Sequence, residues 1–81
     1  MSVLASQISF NEGALRLARV HEKTVEFRYE KSPGAPIESR RLVPKTVREG
    51  ENGMSFVGFD PDRNDTRSFR VDRIRGEVRF V

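Results

Sequence analysis

The sequence predicts a mainly β fold, a small five-stranded barrel preceded by one α-helix. Three observations carry this. The 81 residues contain no linker, repeat or low-complexity tract, so they make one domain. The segment Val25-Glu26-Phe27-Arg28-Tyr29 alternates apolar and polar residues with the period of a half-buried strand. Four further short β-prone segments follow, each set off by Gly, Pro, Asn or Asp, and short strands on tight turns are the pattern of a barrel.

In chain order, residues 1–10 form an N-terminal segment without clear period, in which Val3, Leu4 and Ile8 can pack on the domain or on a partner. A helix is expected over 11–22, starting near Ser9–Glu12. Two starts compete: Ser9-x-x-Glu12 has the spacing of a capping box, while Asn11 as N-cap sets Phe10 and Leu15 as a hydrophobic staple. Ala14, Leu17, Ala18 and His21 then share one face, which half-buries His21, and Arg16, Arg19 and Lys23 take the other.

The barrel occupies 24–81. Thr24–Glu30 is the first strand, with Val25, Phe27 and Tyr29 on one side, and Ser32-Pro33-Gly34-Ala35-Pro36 is a loop. The second strand runs from about Ile37 to Arg48 and must place Pro44 at an edge or a bulge, because proline cannot donate to a ladder. Glu49–Gly53 is a hairpin loop in which Asn52-Gly53 suits positive φ. Met54–Phe59, Thr66–Val71 and Gly76–Val81 complete the strands. Asp60–Asp65 is a turn, and Asp72–Arg75 is a tight corner with the length of one 3₁₀ turn. The chain ends inside its last strand.

Composition narrows the function. There is no cysteine and one histidine, which excludes disulfides, thiolate chemistry and a histidine metal cage. No apolar run reaches the roughly 18 residues of a membrane span, and no basic stretch leads into a signal-like segment, so the cytosol is the expected compartment and no membrane is expected as a partner. The core is modest, since small folds bury only roughly 60% of their chain surface. The net charge is +3, and all of the excess lies in residues 66–81, where five arginines face two acids. Arginine in that proportion favours bidentate contact with phosphate or carboxylate.

The residues from about Leu15 to Val81 resemble the WYL domain. The resemblance rests on VEFRY, RRLVP, GMSFVGFD and above all RSFRVDRI. Met54, Ser55 and Phe56 stand where the family has Trp, Tyr and Leu. The resemblance implies an Sm-like, SH3-type barrel with a leading helix. It also implies a ligand-sensing module of bacterial transcription regulators or phage-defence proteins that meets single-stranded DNA, RNA or a nucleotide. The chain, too short for a DNA-reading wing, looks like that module alone, either encoded so or excised.

The candidate site is Arg67, Arg70 and Arg73 as a phosphate clamp. Arg67 and Arg70 fall on opposite sides of a strand, so the corner at Asp72 must swing Arg73 beside one of them; the bland alternative is that Arg70 or Arg73 pairs with Asp72 and braces the corner. Tyr29 and Lys45 fall where WYL regulators line their pocket, for stacking on a base and meeting a phosphate, though Tyr29 also suits the core. Arg40 and Arg41 are usually solvated on such a strand, with a nucleic-acid contact as the alternative, and Arg41 is taken as the further candidate. His21 has no partner for a metal, and Asp60–Asp65 begins like a calcium loop but lacks its glycine and its closing glutamate. No cofactor, metal or catalytic constellation is expected, so the chain is not expected to be an enzyme. A second expectation is an interaction module, forming a homodimer or docking on a partner regulator through edge strands and Val3, Leu4 and Ile8.

Overall fold

The computed structural model describes residues 5–51 and 53–81 and runs α1 (Ala5–Val20), β1 (Val25–Tyr29), β2 (Glu38–Gly50), β3 (Gly53–Asp60), β4 (Asp65–Arg70), a 3₁₀ turn η1 (Val71–Arg73) and β5 (Ile74–Phe80). The five strands are antiparallel and ordered β4-β3-β2-β1-β5. β2 unites the sheet: its first residues pair with β1 and its remainder with β3. The ladder shifts register between Pro44 and Thr46, so the proline sits at the bulge that its missing N–H requires. Gly58 lies opposite, and a Cβ there would collide with the Val43 carbonyl, so the close approach of β2 and β3 at the bend needs glycine. η1 carries the chain from β4 to β5. Among the described residues no ladder joins β4 to β1 or to β5, and the barrel is open along that seam, between β4 and the edge formed by β1 and β5.

The core follows the alternation. Val25, Phe27 and Tyr29 of β1, Leu42 of β2, Phe56 of β3, Phe69 of β4, Ile74 and Val78 of β5 and Val71 of η1 point inward with Leu15 and Ala18 of α1. Phe27, Tyr29 and Phe69 meet edge to face, with centroids 6.1, 5.1 and 4.9 Å apart. This geometry adds attraction beyond the area buried.

The strands begin and end within two residues of expectation, but the helix departs from it. α1 is already helical at Ala5, so residues 5–10 belong to the helix and neither proposed cap marks its start. Asn11 is instead fully buried inside α1. Its Nδ2 donates to the Gly76 carbonyl at 2.9 Å and its Oδ1 accepts from the Val78 N–H at 2.9 Å. A capping signal is local, and here a contact with β5 takes the side chain. The buried face is accordingly Asn11, Leu15 and Ala18; Leu17 is half-exposed, and His21 is exposed in the turn after α1 rather than half-buried. Val3, Leu4 and Asn52 lie outside the described residues, while Gly53 adopts the expected positive φ, 103°. No helix among the described residues is long and apolar enough to cross a membrane.

Candidate anion-binding site

The open seam holds a cavity of about 420 Å³. Its floor is the aromatic pair Tyr29 and Phe69, and its walls carry Lys31, Arg40, Arg63, Arg67 and Arg73 against one carboxylate, Glu38. Strand parity delivers the cations. Arg40 shares the inward side of β2 with Leu42 and Pro44, and its guanidinium lies over the Phe69 ring at 5.2 Å. Arg67 shares the side of β4 that buries Phe69. η1 turns the chain so that Arg73 returns to the same opening, where its Nη1 donates to the Lys31 carbonyl at 2.6 Å.

Arg63 arrives from the β3–β4 turn. Asn64 takes φ of 53°, a conformation asparagine tolerates. Buried Asp60 shapes the turn by accepting the N–H groups of Asp62 and Arg63 at 2.9 and 3.2 Å through Oδ1. Its Oδ2 lies 3.7 Å from both Arg40 and Arg63, long contacts that orient the guanidiniums without enclosing them. Arg67 is looser still, 3.9 Å from exposed Asp65. The Nε–H groups of Arg40 and Arg67 are buried and meet no acceptor among the described residues. A buried donor left so costs free energy that a ligand oxygen would recover.

The neighbouring charges are closed. Arg70, on the outward side of β4, holds Asp72 in a fork at 2.9 and 2.6 Å, and that hydrogen bonding raises its pKa above the ordinary arginine value. Its backbone N–H donates to the Tyr29 hydroxyl at 3.0 Å, a side-chain bond across the seam where no ladder runs. Arg75 grips Glu30 at 2.9 and 2.7 Å. The Gly34 N–H, then Arg75, hold the Glu30 carboxyl below its ordinary 4.5, and this anchors the loop that carries Lys31.

The trio Arg67, Arg70 and Arg73 is therefore divided: Arg67 and Arg73 meet at the cavity, while Arg70 braces the corner through Asp72. Tyr29 lines the cavity with a mostly buried ring. Lys45 and Arg41 are exposed outside it, and Arg41 pairs with Glu26 at 3.5 Å. Lys45 is the extra, unpaired residue of the bulge and points to solvent, and Arg41 has the outward parity of β2, which is why neither reaches the seam. Sequence reasoning passed over Lys31 and Arg63, and weighed Arg40 beside Arg41 but kept only Arg41. For Arg40 the signal was present, since it has the parity of Leu42 and Pro44. For Arg63 and Lys31, both in turns, there was none. A second concavity at the β2–β3 hairpin is mixed in sign, with Arg48 and Arg70 beside Glu49 and Glu51.

A helix laid on a five-stranded, partly open barrel with cations gathered at its seam defines a small β-barrel of the Sm-like class. The chain belongs to the WYL domain family, whose sequence model matches residues 12–78. It is similar to Protein PafB of Mycobacterium leprae (strain TN), with 39% identity over 56 residues, covering 69% of this chain and 17% of that protein. Its fold matches that of proteasome accessory factor B/C (PafBC) of Arthrobacter aurescens with a TM-score of 0.81 at 16% identity, covering 99% of this chain and 12% of that one. The chain thus spans a small fraction of either protein's length.

Proposed function

We propose that the seam cavity binds the phosphate of a single-stranded nucleic acid or a nucleotide, and that the domain is the ligand-sensing part of a regulatory system, in transcription regulation or phage defence. One observation carries the reading: five cations line the cavity against one carboxylate, and two of them bury Nε–H groups with no acceptor among the described residues. Arg67 and Arg73 contact the phosphates first, Arg40 and Lys31 add charge around the same opening, and Tyr29 and Phe69 supply an apolar floor. Phe69 is covered by Arg40, so charge contributes more to affinity than base stacking does. Arg70 serves the site from behind by holding the corner, and Lys45 and Arg41 take no part. WYL domains are associated with regulators that sense nucleic-acid ligands, which favours a nucleic acid over other anions.

Anisotropy of short labelled DNA and RNA strands tests this. Two phosphate contacts predict binding roughly sevenfold weaker on raising salt from about 50 to 200 mM, from a slope of about 0.7 per phosphate on a single strand. Arg67→Ala combined with Arg73→Ala lowers that salt dependence, leaving what Arg40 and Lys31 still contribute. Absence of binding at the lower salt, or an unaltered slope in the double variant, refutes the reading.

A further inference from the structure

The edge of β4 that faces the seam is answered at both ends and open in the middle. Along an antiparallel pair, successive residues turn their N–H and C=O groups alternately towards the partner strand and away from it. The Arg70 N–H points away from β3, because it reaches the Tyr29 hydroxyl across the seam at 3.0 Å. By the register of β3 and β4, Ser68 and Thr66 turn their main-chain groups the same way. The Thr66 N–H is taken by Asp65 Oδ1 at 2.8 Å. Between these two, the Ser68 N–H and C=O meet no partner among the described residues. Ser68 lies in the wall of the seam cavity, beside Arg67 and Phe69. Its side chain has the outward parity of Arg70 and borders the hairpin concavity, so the main chain is what it turns to the seam.

We propose that this main-chain pair reads the Watson–Crick edge of one base in the nucleic acid whose phosphate the cavity holds, an assignment that rests on that reading of the cavity. Each base sets a hydrogen-bond acceptor beside a donor on that edge, and in a single strand the edge is free. With thymine, the Ser68 N–H donates to O4 and the Ser68 carbonyl accepts from N3–H. Length selects a base over an extended polypeptide. A strand added to a sheet edge pairs through alternate residues. Here the alternate residues on either side, Thr66 and Arg70, already give their N–H groups to side chains of the chain itself. Only Ser68 keeps both groups, and one free pair matches one base. The contact supplies a preference that the arginines cannot. It distinguishes a strand with open base edges from one of equal charge whose edges are blocked.

The test is fluorescence anisotropy at about 50 mM salt, with a short labelled thymidine strand and the same strand methylated at every N3. Methylation keeps the phosphates and removes the donor of each base. The wild type should bind the methylated strand roughly tenfold more weakly, with the salt slope unchanged. Ser68→Pro deletes the N–H and leaves the ladder to β3 intact, since that N–H faces away from it and an edge strand accepts proline there. It should bind the unmodified strand as weakly as the wild type binds the methylated one, and no longer tell the two apart. Ser68→Ala keeps both main-chain groups and should match the wild type. Equal binding of the two strands by the wild type overturns the proposal and leaves the phosphate reading standing; this comparison needs no variant, so it decides even if Ser68→Pro unfolds. A folded Ser68→Pro chain that keeps the preference, or a Ser68→Ala chain that loses it, overturns the proposal too. Binding of neither strand at this salt is the failure of the cavity reading itself, and the proposal falls with it.

Discussion

Beneath α1 the amide of Asn11 is enclosed, and both of its ends are answered by β5; at the seam, Arg40 and Arg67 bury Nε–H groups that nothing in the described chain answers. The first arrangement locks a helix to a strand. The second keeps donors beside a surplus of positive charge and gains nothing for the fold by it. The arginines divide the same way, with Arg70 and Arg75 held in forks by Asp72 and Glu30 and Arg67 no nearer than 3.9 Å to a carboxylate. Residue type does not separate structural from functional polar groups here; the presence of a partner does.

The widest expected gap lies in stability. Asn11→Leu strands the Gly76 carbonyl and the Val78 N–H, and each lost partner costs roughly 1–3 kcal/mol, so urea denaturation should show a loss of about 2–6 kcal/mol. Arg67→Ala removes an unanswered donor and should shift stability by less than about 0.5 kcal/mol, yet weaken oligonucleotide binding about tenfold. Arg70→Ala should do the reverse, lowering the melting temperature while leaving affinity within about twofold. If the two variants behave alike, the division of the arginines is wrong.

Tyr29→Phe keeps the ring and removes the acceptor of the Arg70 N–H, an expected loss of about 1 kcal/mol by denaturation, with little change in binding. The smallest effect is in pH. The Gly34 N–H and Arg75 hold the Glu30 carboxyl below 4.5 in the folded chain, so its contribution is complete above the unfolded value and is lost as pH falls through the lower folded value. Denaturation midpoints of wild type and Glu30→Gln, followed from about pH 6 to pH 3, should converge at the acid end.

The strands were legible because their signal is periodic and local. Val25, Phe27 and Tyr29 declare a face, and Pro44 declares a bulge, without knowledge of the rest. The helix start was not, because Asn11 has the chemistry of a cap and only the arrival of β5 shows that its amide is a clasp. The gathering of arginine near the end of the chain was legible, but not which side chains meet at the cavity. The Asp72 fork that removes Arg70 was weighed as an alternative, and geometry decides it. Arg40 and Arg41 were weighed together and only Arg41 was kept, although the alternation with Leu42 points inward at Arg40. Arg63 and Lys31 depend on a turn and a loop, shaped by Asp60 and Glu30, that have no period to read.

The most direct test of the seam is a ¹H–¹⁵N spectrum of the arginine Nε–H groups during titration with a short single-stranded oligonucleotide. The Arg40 and Arg67 signals should move on binding, towards the positions of hydrogen-bonded donors, while Arg70 and Arg75 stay where Asp72 and Glu30 already hold them. Movement of Arg70 and Arg75 with Arg40 and Arg67 unaffected would contradict the account.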